Sequence, residues 1–124
     1  MKEGFGSISE YWHPKIAAEL NDSYLKLAKL KGEFVWHKHE NEDELFLVVE
    51  GSLRIRLQDS DLVLKAGELV VIPRGIEHCP IAKEEVKVVL IESKTTINTG
   101  EASSDRKVES EWIGETVSDS KEEA

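Results

Sequence analysis

The sequence predicts an all-β domain built as a sandwich or barrel. From Tyr24 onward, short apolar segments alternate with turn signals, and several segments show the two-residue period of a half-buried strand. Long helical segments do not separate these strands, which is typical of a sandwich or barrel rather than of a parallel sheet. With 124 residues, the chain has room for one such domain.

The first 21 residues are predicted to form an N-terminal arm that belongs to the same domain. Ser7-Ile8-Ser9-Glu10 has the form of a capping box, in which a serine and a glutamate satisfy free backbone N–H groups at the start of a helix. Pro14 suits the first turn of a second short helix over Lys15 to Leu20, which would end near Asn21. The alternative is an irregular arm that lies on the barrel.

Residues 22–100 are predicted to form the barrel. The apolar phase shifts by one residue between Leu27 and Ala28, which indicates a bulge or a change of facing. Leu45 to Val49 is continuously apolar, as in a strand that is buried on both faces. The predicted strands cover, in order, 24–31, 34–39, 45–49, 53–57, 62–64, 69–72, 86–91 and a last segment over 94–98.

Residues 101–124 are predicted to be a polar acidic tail, partly disordered or docked on the domain. Eight acidic and three basic residues of this tail account for −5 of the formal net charge of −9. Val108 and Trp112 are four residues apart, so the tail could place one helical turn on the body. The acidic balance argues against nucleic acid as a partner, because phosphates demand a basic surface.

The sequence also predicts a cytoplasmic location with no membrane contact. No apolar stretch approaches the roughly 18 residues of a spanning helix, and the N-terminus leads into no apolar signal segment. The single cysteine, Cys79, cannot form an intramolecular disulfide, which favours a reducing compartment.

Three histidines and one glutamate form a candidate metal site. His37 and His39 lie two apart on an extended segment, so their side chains point to the same face. Glu44 follows a polar turn and begins the next apolar strand, where it can return beside the two histidines. His78 follows the tight turn Pro73-Arg74-Gly75 at the entry to another strand. Each residue alone is more often an ordinary surface or core residue, but together they could bind one divalent ion and leave positions open.

The spacing of these residues resembles the two motifs of the cupin superfamily. The first motif has a glycine, His-x-His, a glutamate and a second glycine, and it is matched by Gly32, His37, His39, Glu44 and Gly51. The second motif has a glycine, Pro-x-Gly and a histidine, and it is matched by Gly67, Pro73, Gly75 and His78. The resemblance covers residues 24–99.

Two positions depart from the cupin pattern. Four residues, rather than the more usual five, separate Gly32 from His37. Ala82 stands where the second motif often has a structural asparagine. Neither departure removes one of the four metal-binding positions.

The resemblance implies a cupin double-stranded β-helix, or jelly-roll barrel, which holds one divalent metal ion (Fe, Mn, Ni or Zn). His37, His39, Glu44 and His78 would be its ligands. Apolar side chains such as Val35, Phe46 and Val48 would line the site. A homodimer and a small-molecule ligand are also implied by the resemblance.

The same ligand set serves Fe(II) dioxygenases, Mn-dependent oxalate enzymes, isomerases and cupins without demonstrated turnover, so fold and ligands leave the reaction open. We expect a metal-dependent enzyme that acts on a small polar metabolite, of dioxygenase or isomerase type. The first alternative is a non-catalytic small-molecule binding or sensing module with a structural metal, and the second is a protein that binds a partner through its acidic tail. No general base is identified, since the charged residues near the barrel strands or mouth are more readily explained as a solvated outer face: Lys29, Lys31, Arg54, Arg56, Arg74 and Glu77.

Four further residues with reactive or aromatic side chains are assigned structural roles. Cys79 neighbours His78 but should point to the opposite face of a regular strand. His13 is expected to be structural or solvent-facing. Phe34 and Trp36 alternate away from the histidines, and we expect them to make core or dimer contacts.

Overall fold

The computed structural model describes residues 2–100 and 107–113, and the all-β class with a short helical N-terminal arm is confirmed. The strands join in one sheet of order β5-β4-β7-β2-β1-β8, in which β3 pairs with both β7 and β6. The elements are α1 (Lys2–Gly6), β1 (Lys15–Leu20), β2 (Ser23–Glu33), β3 (Glu44–Glu50), β4 (Ser52–Arg56), β5 (Asp61–Lys65), β6 (Leu69–Ile72), β7 (Cys79–Ser93) and β8 (Glu111–Trp112).

The fifteen-residue strand β7 organises the barrel. It pairs with β2 along one edge, while its other edge pairs with β4 through residues 79–81 and with β3 through residues 87–92. The antiparallel pairs β4–β5 and β3–β6 therefore lie along the same edge of β7. Strand β4 pairs with the N-terminal residues of β7, and strand β3 pairs with its C-terminal half. The inward side chains of β2, β3, β4 and β7 meet in a fully buried core that includes Ala28, Val48, Leu53, Ile55, Val86 and Val88.

The N-terminal arm covers the outer face of this sheet. Phe5 and Ile8 pack with Leu27 and Val89 in a second buried cluster. Strand β2 is consequently buried on both faces, since Leu27 faces the arm and Ala28 faces the core. The strand is in continuous register with β7 at that point, so the bulge suggested between these two residues is absent.

The predicted helix over Lys15 to Leu20 is wrong, because this segment is strand β1. It pairs with β2 in antiparallel register, from Lys15 opposite Leu27 to Leu20 opposite Ser23. Asn21 adopts a positive φ of 52° in the two-residue turn that joins the strands, a conformation that asparagine tolerates well. Pairing with a neighbouring strand has overridden the helix propensity of Ala17, Ala18 and Leu20.

The capping box and the predicted last strand are also wrong. Helix α1 ends at Gly6, and the Ser7 hydroxyl donates a hydrogen bond to the Gly4 carbonyl, 2.7 Å away, instead of capping a later helix. Residues 94–98, predicted as a strand, form turns after β7. Of the predicted extended segment 34–39, only His37 makes a β-bridge.

Part of the acidic tail lies against the barrel. Glu111 and Trp112 form the short strand β8, parallel to β1, so the helical turn suggested for Val108 and Trp112 is not formed. The Trp112 ring packs edge-on against Tyr24 at a centroid distance of 6.1 Å. Residues 101–106 and 114–124 of the predicted tail lie outside the described residues.

Candidate metal centre

The backbone fixes His37 and His78 beside each other. Each residue donates its N–H to the carbonyl of the other, at 3.0 Å and 2.8 Å, and this pair forms an isolated antiparallel bridge. His78 immediately precedes β7, as the sequence predicted. The bridge therefore fixes the segment before β3 to the strand at the centre of the barrel.

Both of these histidines have their ring orientation fixed by a local carbonyl. His37 Nδ1 lies 2.9 Å from the Val35 carbonyl, and His78 Nδ1 lies 2.9 Å from the Ile76 carbonyl. A carbonyl only accepts, so each Nδ1 carries the proton, and each Nε2 is left as a lone-pair donor. Such a partner on the second nitrogen is typical of histidines that bind metal ions.

Glu44 is the first residue of β3 and brings its carboxylate to the histidines. Its Oε1 atom lies 3.3 Å from His39 Nε2 and 3.6 Å from His78 Nε2. None of these three atoms has a hydrogen-bond partner with acceptable geometry among the described residues, although all three are buried. The four residues are each at most 4 % exposed.

The potential ligand atoms of His37, His39, Glu44 and His78 all lie within 4.8 Å of one another. Ligand bonds of about 2.1 Å place opposite donors on one ion about 4.2 Å apart, so a small inward movement suffices for all four to share an ion. Buried polar atoms without partners are costly, and an ion would satisfy them. Three imidazoles and a carboxylate suit Fe, Mn, Ni or Zn, so the residues fit a divalent metal.

The electrostatics of the cluster hold His37 neutral and Glu44 ionised, the states in which these two residues bind metal ions. Burial, reinforced by the neighbouring His78, lowers the pKa of His37 to about 4, so its imidazole is neutral near pH 7. For Glu44, burial acts to raise the pKa, but contacts with His39 and His78 outweigh it and lower the pKa to about 2. The carboxyl is therefore ionised while His37 is neutral.

A cavity of about 30 Å³ adjoins the cluster. Its charged or polar wall consists of His37, Glu44, Glu92 and Asn98, and Trp12 and Phe46 are among the apolar residues that line the rest. Space of this size admits only a few water-sized groups. In this conformation the cavity suits a small molecule with few heavy atoms.

Residues of the N-terminal arm help to close this cavity. Trp12 stacks on Phe34 with ring centroids 4.8 Å apart, and its indole N–H donates to the Lys31 carbonyl at 2.7 Å. Phe34 also meets the edge of the His37 ring at 5.3 Å, so it is a core residue that supports the site, as well as part of the cavity wall. Trp36 is 40 % exposed and lies beside Arg56 instead.

Cys79 and His13 have structural surroundings. Burial and, to a smaller extent, the nearby Glu33 carboxylate raise the pKa of the Cys79 thiol to about 11, so the thiol remains protonated and unreactive. His13 Nδ1 lies 3.1 Å from Glu10 Oε1, and its Nε2 lies 3.3 Å from Glu111 Oε1.

Sequence reasoning missed the buried pair Lys26 and Glu92. Both residues are 4 % exposed, and Lys26 Nζ lies 3.6 Å from Glu92 Oε1. Burial and, to a smaller extent, the Glu44 carboxylate raise the pKa of Glu92 to about 8 in the absence of a metal ion. The sequence did indicate that Glu92 points inward, because Glu92 continues the two-residue period of the buried residues Val88 and Leu90.

The six charged residues that the sequence analysis assigned to a solvated outer face all lie outside the buried core, and Lys29 and Glu77 are half-buried. Among them, Lys31, Arg54, Arg56 and Arg74 are exposed, as expected for a solvated outer face. Arg74 instead supports the loop before the site, since its backbone N–H donates to Asp43 Oδ1 at 2.9 Å.

The fold and the four-residue cluster define a small cupin. The Cupin domain family matches residues 25–93, and the chain belongs to this family. No helix among the described residues is long and apolar enough to cross a membrane.

Several known proteins are similar to this chain. YdbB of Bacillus subtilis (strain 168), described as uncharacterized, is 45 % identical over 62 residues, which are 49 % of this chain and 55 % of YdbB, so the chain spans about half of that relative. A crystal structure of a cupin-2 domain containing protein from Shewanella frigidimarina is 48 % identical, with a TM-score of 0.73 over 74 % of this chain and 90 % of that one. A protein from Neisseria meningitidis is 31 % identical, with a TM-score of 0.69 over 74 % and 94 %.

Proposed function

We propose that the chain binds one divalent metal ion through His37, His39, Glu44 and His78. The observation that carries this proposal is the convergence of four buried side chains whose donor atoms lie within 4.8 Å and include three without hydrogen-bond partners among the described residues. A purely structural cluster would be expected to satisfy these atoms internally. Fe, Mn, Ni and Zn are the candidate ions.

The metal-binding proposal is tested by the double variant His37→Ala/His39→Ala. The purified full chain, after loading and desalting, should contain about one ion per chain, and the double variant should contain almost none by elemental analysis. His13→Ala is the matched control, because that histidine contacts Glu10 and Glu111 rather than the cluster. Retention of one ion per chain by the double variant would show that other groups bind it.

We further propose that the metal centre belongs to an enzyme that acts on a small polar metabolite, of dioxygenase or isomerase type. A bound ion would supply a Lewis acid or, if it is iron, a site for O2. The cavity beside His37 and Glu44 supports this proposal, since it provides space for a small molecule next to the cluster. Its apolar wall would exclude bulk water from the bound molecule.

The enzyme proposal is tested by oxygen uptake and product analysis with Fe-, Mn-, Ni- and Zn-loaded protein. Small hydroxy acids, thiols and diols are the compounds to screen, with the double histidine variant as the blank. Turnover in the loaded chain and none in the variant is the expected result. Absence of turnover with every metal and compound would contradict it.

A non-catalytic binding or sensing module with a structural metal is the second candidate. The small size of the cavity favours it, because a permanently narrow site can hold a ligand but restricts exchange of substrate and product. Thermal shift with the same compounds distinguishes the two candidates. A rise in unfolding temperature without any product supports binding alone.

The homodimer and the cytoplasmic location stay predictions. Exposed apolar side chains on the strands β5 and β6, Val63, Leu69 and Val71, support association with a second copy. Sedimentation equilibrium should give twice the chain mass, and a monomer at micromolar concentration would contradict the dimer.

A further inference from the structure

The buried pair Lys26 and Glu92 is expensive for stability. Glu92 lies directly opposite Glu44 in the pairing of β7 with β3, and like charges opposite each other destabilise a sheet. The ion pair with Lys26 offsets this repulsion only in part, because taking two charges out of water costs several kcal/mol per ion. A barrel core built for stability alone would have apolar residues here.

The two oxygens of Glu92 have different surroundings. Oε1 lies 3.6 Å from Lys26 Nζ, whereas Oε2 is buried and has no hydrogen-bond partner among the described residues. Lys26 is held in turn by the Ser110 hydroxyl, 3.1 Å from Nζ, on the segment that precedes β8. Glu92 also lines the cavity that adjoins His37 and Glu44. Lys26 therefore lies beside one oxygen of Glu92, and the other oxygen is left without a partner in a residue that lines the cavity.

We propose that Glu92 selects the ligand of the metal centre by accepting a hydrogen bond from it. The ligand class is a small monoanion that carries a hydroxyl or amine beside its metal-binding carboxylate. This inference rests on the proposed metal site. Lys26 is the positioning residue, because it acts on the ligand only through Glu92.

The charges of the site favour an anion. Glu44 would neutralise one of the two charges of a divalent ion, which leaves one positive charge on the ion with neutral histidines. A monoanionic ligand completes the balance in a site that excludes most water. Its hydroxyl, made more acidic by the ion, is a strong donor toward Glu92 Oε2.

The test compares glycolate with methoxyacetate on the cobalt-loaded full chain. Both probes offer a carboxylate and a neighbouring oxygen to the ion, but only glycolate has a hydroxyl proton to donate. Titrations followed by the visible absorption of cobalt at pH 8.5 give both dissociation constants. The wild-type chain should prefer glycolate by roughly tenfold or more, as expected for a hydrogen bond to a charged group.

The double variant Lys26→Met/Glu92→Leu should bind cobalt at the wild-type stoichiometry and show a glycolate preference close to one. Replacing both partners avoids the penalty of leaving one charge buried alone. Glu92→Gln, which keeps an acceptor oxygen without the charge, should show an intermediate preference.

Three results overturn the inference while the metal site stands. These are an unchanged preference in the double variant, cobalt bands in the wild-type chain that respond to neither probe, and loss of cobalt from Glu92→Gln, which would make Glu92 a metal ligand. Failure of the wild-type chain itself to hold cobalt would instead refute the proposed function.

Discussion

Replacement of Gly100 by alanine should damage the metal centre from outside its ligand set. Gly100 has a positive φ of 60°. A Cβ built on it would clash with the Lys38 carbonyl oxygen, and it would lie 3.0 Å from the Lys38 carbonyl carbon and 3.5 Å from His37 Cδ2. Lys38 lies between His37 and His39, so a shift of its carbonyl by about 1 Å, needed to restore ordinary contact, moves both histidines.

The matched control is Gly67→Ala. Gly67 also has a positive φ, of 88°, but a Cβ there would meet no atom of the described part of the chain within 4 Å. The control should therefore cost only the backbone strain of about 1–2 kcal/mol. Gly100→Ala should cost this strain and an overpacking penalty of about 1–3 kcal/mol, which gives a total of about 2–5 kcal/mol.

Urea denaturation of the full chain measures the free energies of unfolding, and elemental analysis measures bound metal. Gly100→Ala should be less stable than Gly67→Ala and should hold less metal, while the control keeps the wild-type metal content. Equal stability and equal metal content in the two variants would refute the close approach of Gly100 to the His37 segment as a determinant of the site.

The other predictions concern the N-terminal arm and the pH dependence. Phe5→Ala should lower the free energy of unfolding by about 3–5 kcal/mol, because Phe5 is only 2 % exposed and packs on the outer face of β2 and β7. Urea denaturation measures this loss. A loss below about 1 kcal/mol would show that the packing of the arm contributes little to stability. The metal-free chain should lose stability as the pH rises from about 6.5 to about 8. Burial raises the pKa of Glu92 to about 8 in the folded state, so the unfolded chain, with an ordinary pKa, binds fewer protons in this range. Below pH 6.5 the lowered pKa of His37 acts in the opposite direction, since acid then favours the unfolded state. Glu92→Gln should flatten the alkaline part of a stability profile measured in urea, and an unchanged slope in that variant would exclude Glu92 as its cause.

The sequence alone was sufficient for the fold class and for the relative placement of the four candidate ligands. A two-residue spacing puts His37 and His39 on one face when the segment is extended, and short turns determine where Glu44 and His78 enter their strands. These relations are local, because they depend on strand geometry over a few residues. The cupin motifs then joined the two local patterns into one expected site.

Tertiary structure decided the features that depend on distant pairing. Lys15–Leu20 has residues that suit a helix, yet it is a strand because β2 offers it an edge. Glu92 and Lys26 come from strands more than sixty residues apart, and only the pairing of β7 with β2 and β3 makes them a buried pair beside Glu44. The docked segment around Ser110 likewise takes its conformation from β1 and Lys26. Such contacts contribute free energy only after remote segments have come together. The local sequence therefore specifies Lys26 and Glu92 as residues, but it does not specify that they contact each other.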